Sequence, residues 1–163
     1  MFLKKPFYFL FLSLIVCSFW LSSCDTIDLY EKVVSIPSHK WNADYKPRFS
    51  FIIKDTSSPY ELFLIIRHNE KYAYNNIWIN FYTQIPGDSV NKILFEARLA
   101  DNKGWLGSAM DDIYDHRITL TPSEQRYYFK KPGEYTFTLE HTMREEPLLN
   151  IMNVGLRIEK LTL

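Results

Sequence analysis

Tyr135-Thr136-Phe137-Thr138-Leu139-Glu140 alternates apolar and polar side chains without a break. An extended chain turns successive side chains to opposite faces, so Tyr135, Phe137 and Leu139 share a dry face while Thr136, Thr138 and Glu140 share a wet one. The same period of two runs through Phe49, Phe51 and Ile53; through Ile77, Ile79 and Phe81; through Ile93, Phe95, Ala97 and Leu99; and through Val154, Leu156 and Ile158. Leu62-Phe63-Leu64-Ile65-Ile66 is apolar throughout, which marks a strand covered on both faces or lying under a loop, and hence the central strand. Helical spacing is hard to find anywhere.

The links between these runs are short. Ser57-Ser58-Pro59, Pro86-Gly87-Asp88 and Lys131-Pro132-Gly133-Glu134 each separate two strand patterns by a few turn-forming residues, which predicts antiparallel neighbours. Only 101–119 is long enough for a parallel crossover, and it has no helical face. With many short strands and no helices to cover a sheet, the apolar faces must meet one another. The fold class is therefore all-β, an antiparallel β-sandwich, with jelly-roll connectivity as one way of closing it.

The first residues read differently. Lys4 and Lys5 precede the apolar run Phe7 to Leu21, which is too short to span a bilayer comfortably, and Leu21-Ser22-Ser23-Cys24 follows as a lipobox. The expected organisation is a lipoprotein signal peptide over 1–23, a lipidated Cys24 with a tether over 24–32, and one domain over 33–163. Extended at ~3.3 Å per residue, the tether holds that domain about 25 Å or less from a membrane. Processing leaves 140 of 163 residues, with 17 of the 19 basic side chains against 19 acidic ones, so no basic field remains to attract nucleic acid. Cys17 departs and Cys24 is acylated. The domain then has no thiol for a disulfide, a cysteine metal site or a cysteine nucleophile, and the expected cofactor list is empty apart from the covalent lipid.

Candidate contact residues come from strand parity and loop composition. On the strand of Ile77, Ile79 and Phe81 the opposite face carries Asn76, Trp78, Asn80 and Tyr82, where Trp78 and Tyr82 could hold a sugar ring or a partner peptide, or be covered by a neighbouring loop. The segment 101–117 offers Trp105 between Gly104 and Gly107, with Asp111, Asp112 and Asp115 as weak candidate ligands for Ca²⁺. The alternative there is a solvated connection in which Arg117 pairs with an Asp. Arg144, ahead of Glu145 and Glu146, is a further candidate for partner contact. His39, His68, His116 and His141 stand far apart in sequence, no nucleophile motif accompanies them, and His141 continues the inward parity of Leu139. These features give no residue set for catalysis, and the expectation is a protein that is not an enzyme.

In order, the lipobox, Tyr74-Asn75-Asn76-Ile77-Trp78-Ile79, Trp105 with Asp112-Ile113-Tyr114-Asp115, Gly133-Glu134-Tyr135, His141-Thr142-Met143-Arg144 and Val154-Gly155-Leu156-Arg157-Ile158-Glu159 resemble the gliding motility lipoprotein GldH family of the Bacteroidetes. The resemblance implies a cell-envelope lipoprotein needed for gliding and connected with the type IX secretion system; the expected placement is the outer membrane, facing the periplasm, and the expected partners are other envelope proteins of that assembly. It implies no established catalytic set and carries over only Cys24, as the lipid site. A carbohydrate- or peptidoglycan-binding module is the alternative expectation.

Overall fold

The structure, a computed structural model, describes residues 29–121 and 126–161. The lipobox, the signal segment and Cys24 lie outside the described residues. Thirteen strands follow along the described chain: β1 (Leu29–Ser35), β2 (Lys40–Trp41), β3 (Arg48–Ile53), β4 (Tyr60–Asn69), β5 (Asn76–Gln84), β6 (Asn91–Arg98), β7 (Ala100–Asp101), β8 (Gly104–Trp105), β9 (Ser108–Met110), β10 (Ile113–Thr119), β11 (Gly133–His141), β12 (Leu148–Leu149) and β13 (Ile151–Lys160). One sheet has the order β1-β13-β4-β10-β9 and the other β3-β11-β5-β6, with β2-β12 and β7-β8 as small accessory pairs. Every pairing is antiparallel.

The eight long strands form a jelly roll, in which each connection passes to the opposite sheet except the one from β5 to β6. This corrects the reading of the turns. Pro86-Gly87-Asp88 does close a hairpin, but Ser57-Ser58-Pro59 carries the chain from β3 in one sheet to β4 in the other, and Lys131 to Glu134 leads into β11 from β10 in the opposite sheet. Leu62–Ile66 lies in β4, the middle strand of its five-stranded sheet, as its apolar run requires. Leu29–Lys32, expected in the tether, form the first half of β1 instead. That edge strand alternates weakly because only Tyr30 and Val34 turn inward, and Glu31 and Lys32 disguise it.

Period two translates directly into burial. Phe49, Phe51, Ile53, Ile77, Ile79, Tyr135, Leu139, Val154, Leu156 and Ile158 all lie in the core. Phe51 is its hub, in contact with Tyr30 at 5.2 Å, Phe137 at 5.7 Å, Phe129 at 5.8 Å and Tyr135 at 5.9 Å between ring centroids. Each such ring pair adds about 0.5–1.5 kcal/mol to what burial alone provides. Ile93 departs from the pattern: it has inward parity but is 54% exposed, because the sheets part at that end.

Candidate functional site

The outer face of the four-stranded sheet holds the first candidate pair. Inward Ile77, Ile79 and Phe81 oblige Asn76, Trp78, Asn80 and Tyr82 to face outward, opposite Arg98, Glu96, Leu94 and Lys92 of β6. Glu140 on β11 organises this face. It accepts hydrogen bonds from the Tyr82 hydroxyl at 2.5 Å and from Asn80 Nδ2 at 2.9 Å, and it pairs with Lys46 at 2.5 Å. The Lys46 bond, ahead of the Tyr82 bond, holds the Glu140 carboxyl down at about 2, so it is ionised wherever the protein is folded near neutrality. Lys46 and Lys92 sit 5.9 and 5.3 Å from the Tyr82 ring centroid. The face is thus an ordered array of one carboxylate, two ammonium groups and a half-buried tyrosine, with half-buried Trp78 further along the same strand.

Arg144 belongs near Trp78. The Thr142 N–H donates to the Trp78 carbonyl at 2.9 Å, and the Trp78 N–H points at Met143 Sδ at 3.3 Å, so exposed Arg144 leaves the sheet beside that tryptophan. Trp105 goes elsewhere. The β7-β8 hairpin folds its ring onto His68 at 4.4 Å and Tyr114 at 5.6 Å, making it part of a packed cluster with Tyr72 rather than an open platform.

Within that cluster His68 and His116, 48 residues apart, meet Nε2 to Nε2 at 2.9 Å, both buried. His68 Nδ1 lies 2.7 Å from the Asn69 carbonyl, which can only accept, so Nδ1 carries the proton and the bare Nε2 accepts from His116. Burial lowers both pKa values, His116 to about 4, and keeps the pair neutral. Sequence distance hides this pair. Its signal is the inward parity that His68 shares with Leu62, Leu64 and Ile66, and His116 with Tyr114 and Ile118 on the neighbouring strand. His141 is also buried, 3.5 Å from the Glu146 carboxylate, which itself accepts both its bonds from the Ala43 N–H.

The three aspartates do not converge. Asp111 and Asp112 form the positive-φ turn between β9 and β10, while Asp115 lies on β10 and binds Arg67 through two bonds of 2.5 and 3.0 Å. Among the described residues no group of three or more His, Cys, Asp or Glu side chains is arranged to hold a metal ion. Arg117 does not pair with an Asp either: it reaches Glu159 at 2.6 Å and covers the Phe63 ring at 4.0 Å. The reason is register, since Asp115 stands opposite Arg67 across the β4-β10 pair.

Gly107 closes the histidine cluster from the loop side. Its φ is +84°, and a Cβ there would lie 2.2 Å from the Asp115 carbonyl oxygen and 3.2 Å from His116 Nδ1. Gly107→Ala is expected to cost about 2–4 kcal/mol and to alter the near-ultraviolet circular dichroism of Trp105. Gly104, at φ +124° with open space around it, provides the control: Gly104→Ala should cost strain alone and leave that signal intact.

Residues 28–158 match the family described as GldH lipoprotein. The chain is 29% identical over 147 residues to the gliding motility lipoprotein GldH homolog of Christiangramia forsetii, covering 85% of this chain and 88% of that protein. It is 26% identical over 159 residues to the gliding motility lipoprotein GldH of Flavobacterium johnsoniae, covering 90% and 94%. Among solved structures, the infectious bursal disease virus VP2 subviral particle overlaps 80% of this chain and 30% of its own at 11% identity and a TM-score of 0.33, too slight a likeness to argue from.

Proposed function

The chain belongs to the GldH lipoprotein family, and from that premise we propose that it is an envelope lipoprotein, acylated on Cys24, that serves gliding motility as a non-enzymatic interaction module. The observation that carries this reading is the match over the whole jelly roll. Two features of the site support it. Three of the four histidines are spent on packing, His68 on His116 and His141 beneath Trp41, and the fourth, His39, is exposed. The polar face around Tyr82, Glu140 and Lys92 is ordered before any partner arrives, which lowers the entropic cost of docking. The assembly served is that of motility and the associated type IX secretion route, with the domain on the periplasmic side of the outer membrane.

Deleting the gene and measuring colony spreading together with secreted protein tests this. Loss of spreading and retention of exported cargo inside the cell is expected; unimpaired spreading and secretion overturns the reading. Tyr82→Ala combined with Trp78→Ala should weaken capture of cross-linked envelope proteins by about tenfold or more, as loss of interface aromatics does. A glycan array addresses the other reading. Tight glycan binding that the same two substitutions abolish would make this face a carbohydrate site instead.

A further inference from the structure

The described chain starts and stops at one end of the sandwich: Leu29 pairs with Glu159, and the Leu161 N–H binds the Pro59 carbonyl just before β4. The ends of β3 and β5 and the start of β6 lie there too, and Leu29, Ile52, Val90 and Ile93 are each more than half exposed at that end. Behind Ile93 the sheets part around an apolar cleft of about 260 Å³, lined by Leu62, Phe81, Phe95, Leu120, Tyr127 and Phe137. Ile93 at the cleft mouth and the other apolar side chains exposed at this end mark a surface that something apolar covers.

Chain length selects what covers it. Five residues take the chain from Cys24 to Leu29, and at full extension they reach about 18 Å at most. The ten-residue β4 spans the sandwich over about 33 Å. With Cys24 held in a bilayer, the domain cannot invert to lay its far end, the end of Met110 and the Asp111-Asp112 turn, on that membrane. We propose that the end bearing Leu29, Val90 and Ile93 rests on the bilayer that anchors Cys24, with these side chains in the interface and the cleft opening toward lipid. This rests on the acylation of Cys24 proposed above. Charges at this end are mixed and partly mutually satisfied, Lys131 by Asp88 and Lys160 by Asp55, so apolar contact rather than headgroup charge holds it there. The Arg144 segment at the opposite end is then presented away from the membrane to partners.

The mature protein as its own cells process it, mixed with phosphatidylcholine vesicles, tests the orientation. Cys17 leaves with the signal and Cys24 is blocked, so a thiol introduced by Val90→Cys, Ile93→Cys or Met110→Cys is unique. A polarity-sensitive fluorophore at positions 90 and 93 should be quenched about twofold or more by nitroxide-bearing lipid, and one at 110 left unquenched. Vesicle-bound protein with no quenching at 90 and 93, or equal quenching at 110, overturns the proposal while leaving the anchor in place. Protein that does not float with the vesicles refutes acylation on Cys24, and the proposal falls with it.

Discussion

Trp41→Ala is expected to lower the stability of the domain by about 3–5 kcal/mol, a large part of the roughly 5–15 kcal/mol typical of a whole domain. Trp41 belongs to the two-residue strand β2, whose pairing with β12 caps the sandwich at the end opposite Leu29. So short a pairing has little backbone bonding of its own and depends on what its side chains bury. Trp41 and Leu148, cross-strand partners, are both completely inaccessible, and the indole N–H is satisfied by the Tyr45 carbonyl at 2.8 Å. Truncation leaves a void beside His141, whose ring stands 5.3 Å away edge-on and whose two nitrogens have no hydrogen bond. Water entering the void would bind those nitrogens, and His141, now held below its usual pKa by burial, would titrate closer to the ordinary imidazole range. Urea unfolding read by circular dichroism should show the lower midpoint at unchanged slope, with Trp41→Phe costing about 1–2 kcal/mol because the plug survives without its N–H bond. A loss under about 1 kcal/mol for the alanine variant would show that the cap unfolds separately from the sandwich.

How much of the fold is legible in the sequence follows from what alternation encodes. Period two states which side chains share a face, so the core residues of β3, β5, β11 and β13 can be read from alternation alone. It does not state which strand lies alongside which. Ser57-Ser58-Pro59 bends the chain equally well within a sheet or between sheets, and its hairpin reading fails for that reason. Trp105 and the His68-His116 pair are obscured by the same lack of topology: only the adjacency of β4 and β10 makes one pocket of residues so distant in sequence. Trp78 and Tyr82 are legible as an outward pair because parity on β5 alone determines their face, whereas the role of Glu140 between Lys46 and Tyr82 requires the register of β11 against β5.

Acidification from pH 7 to pH 4 is expected to remove about 3 kcal/mol through His116, whose pKa falls from 6.5 to about 4 on folding at 1.36 kcal/mol per unit. The sign follows from where protons prefer to bind. Below pH 6.5 the unfolded chain takes up a proton that the folded chain refuses, because the buried ring, chiefly through desolvation and then through its neighbour His68, resists a charge. Stability is therefore full above pH 6.5 and declines as pH falls toward 4. His68 and His141, also lowered by burial, act in the same direction. For His68 geometry adds to desolvation, since its remaining proton site is Nε2 and a proton there would set two N–H groups against each other across 2.9 Å. A different window belongs to Glu140, whose carboxyl is held at about 2 mainly by Lys46; its contribution persists until pH drops below the ordinary glutamate range and disappears as pH passes through 2. Chemical denaturation across pH 7 to 2 should thus show two descents. Replacing both rings, His68→Leu with His116→Leu, removes the pair without stranding either partner, and should flatten most of the first descent while preserving the second. An unchanged slope between about pH 6.5 and 4.5 in that double variant would mean that the two histidines accept protons in the folded state as freely as in the unfolded one, which their burial against Trp105 and Tyr72 does not allow.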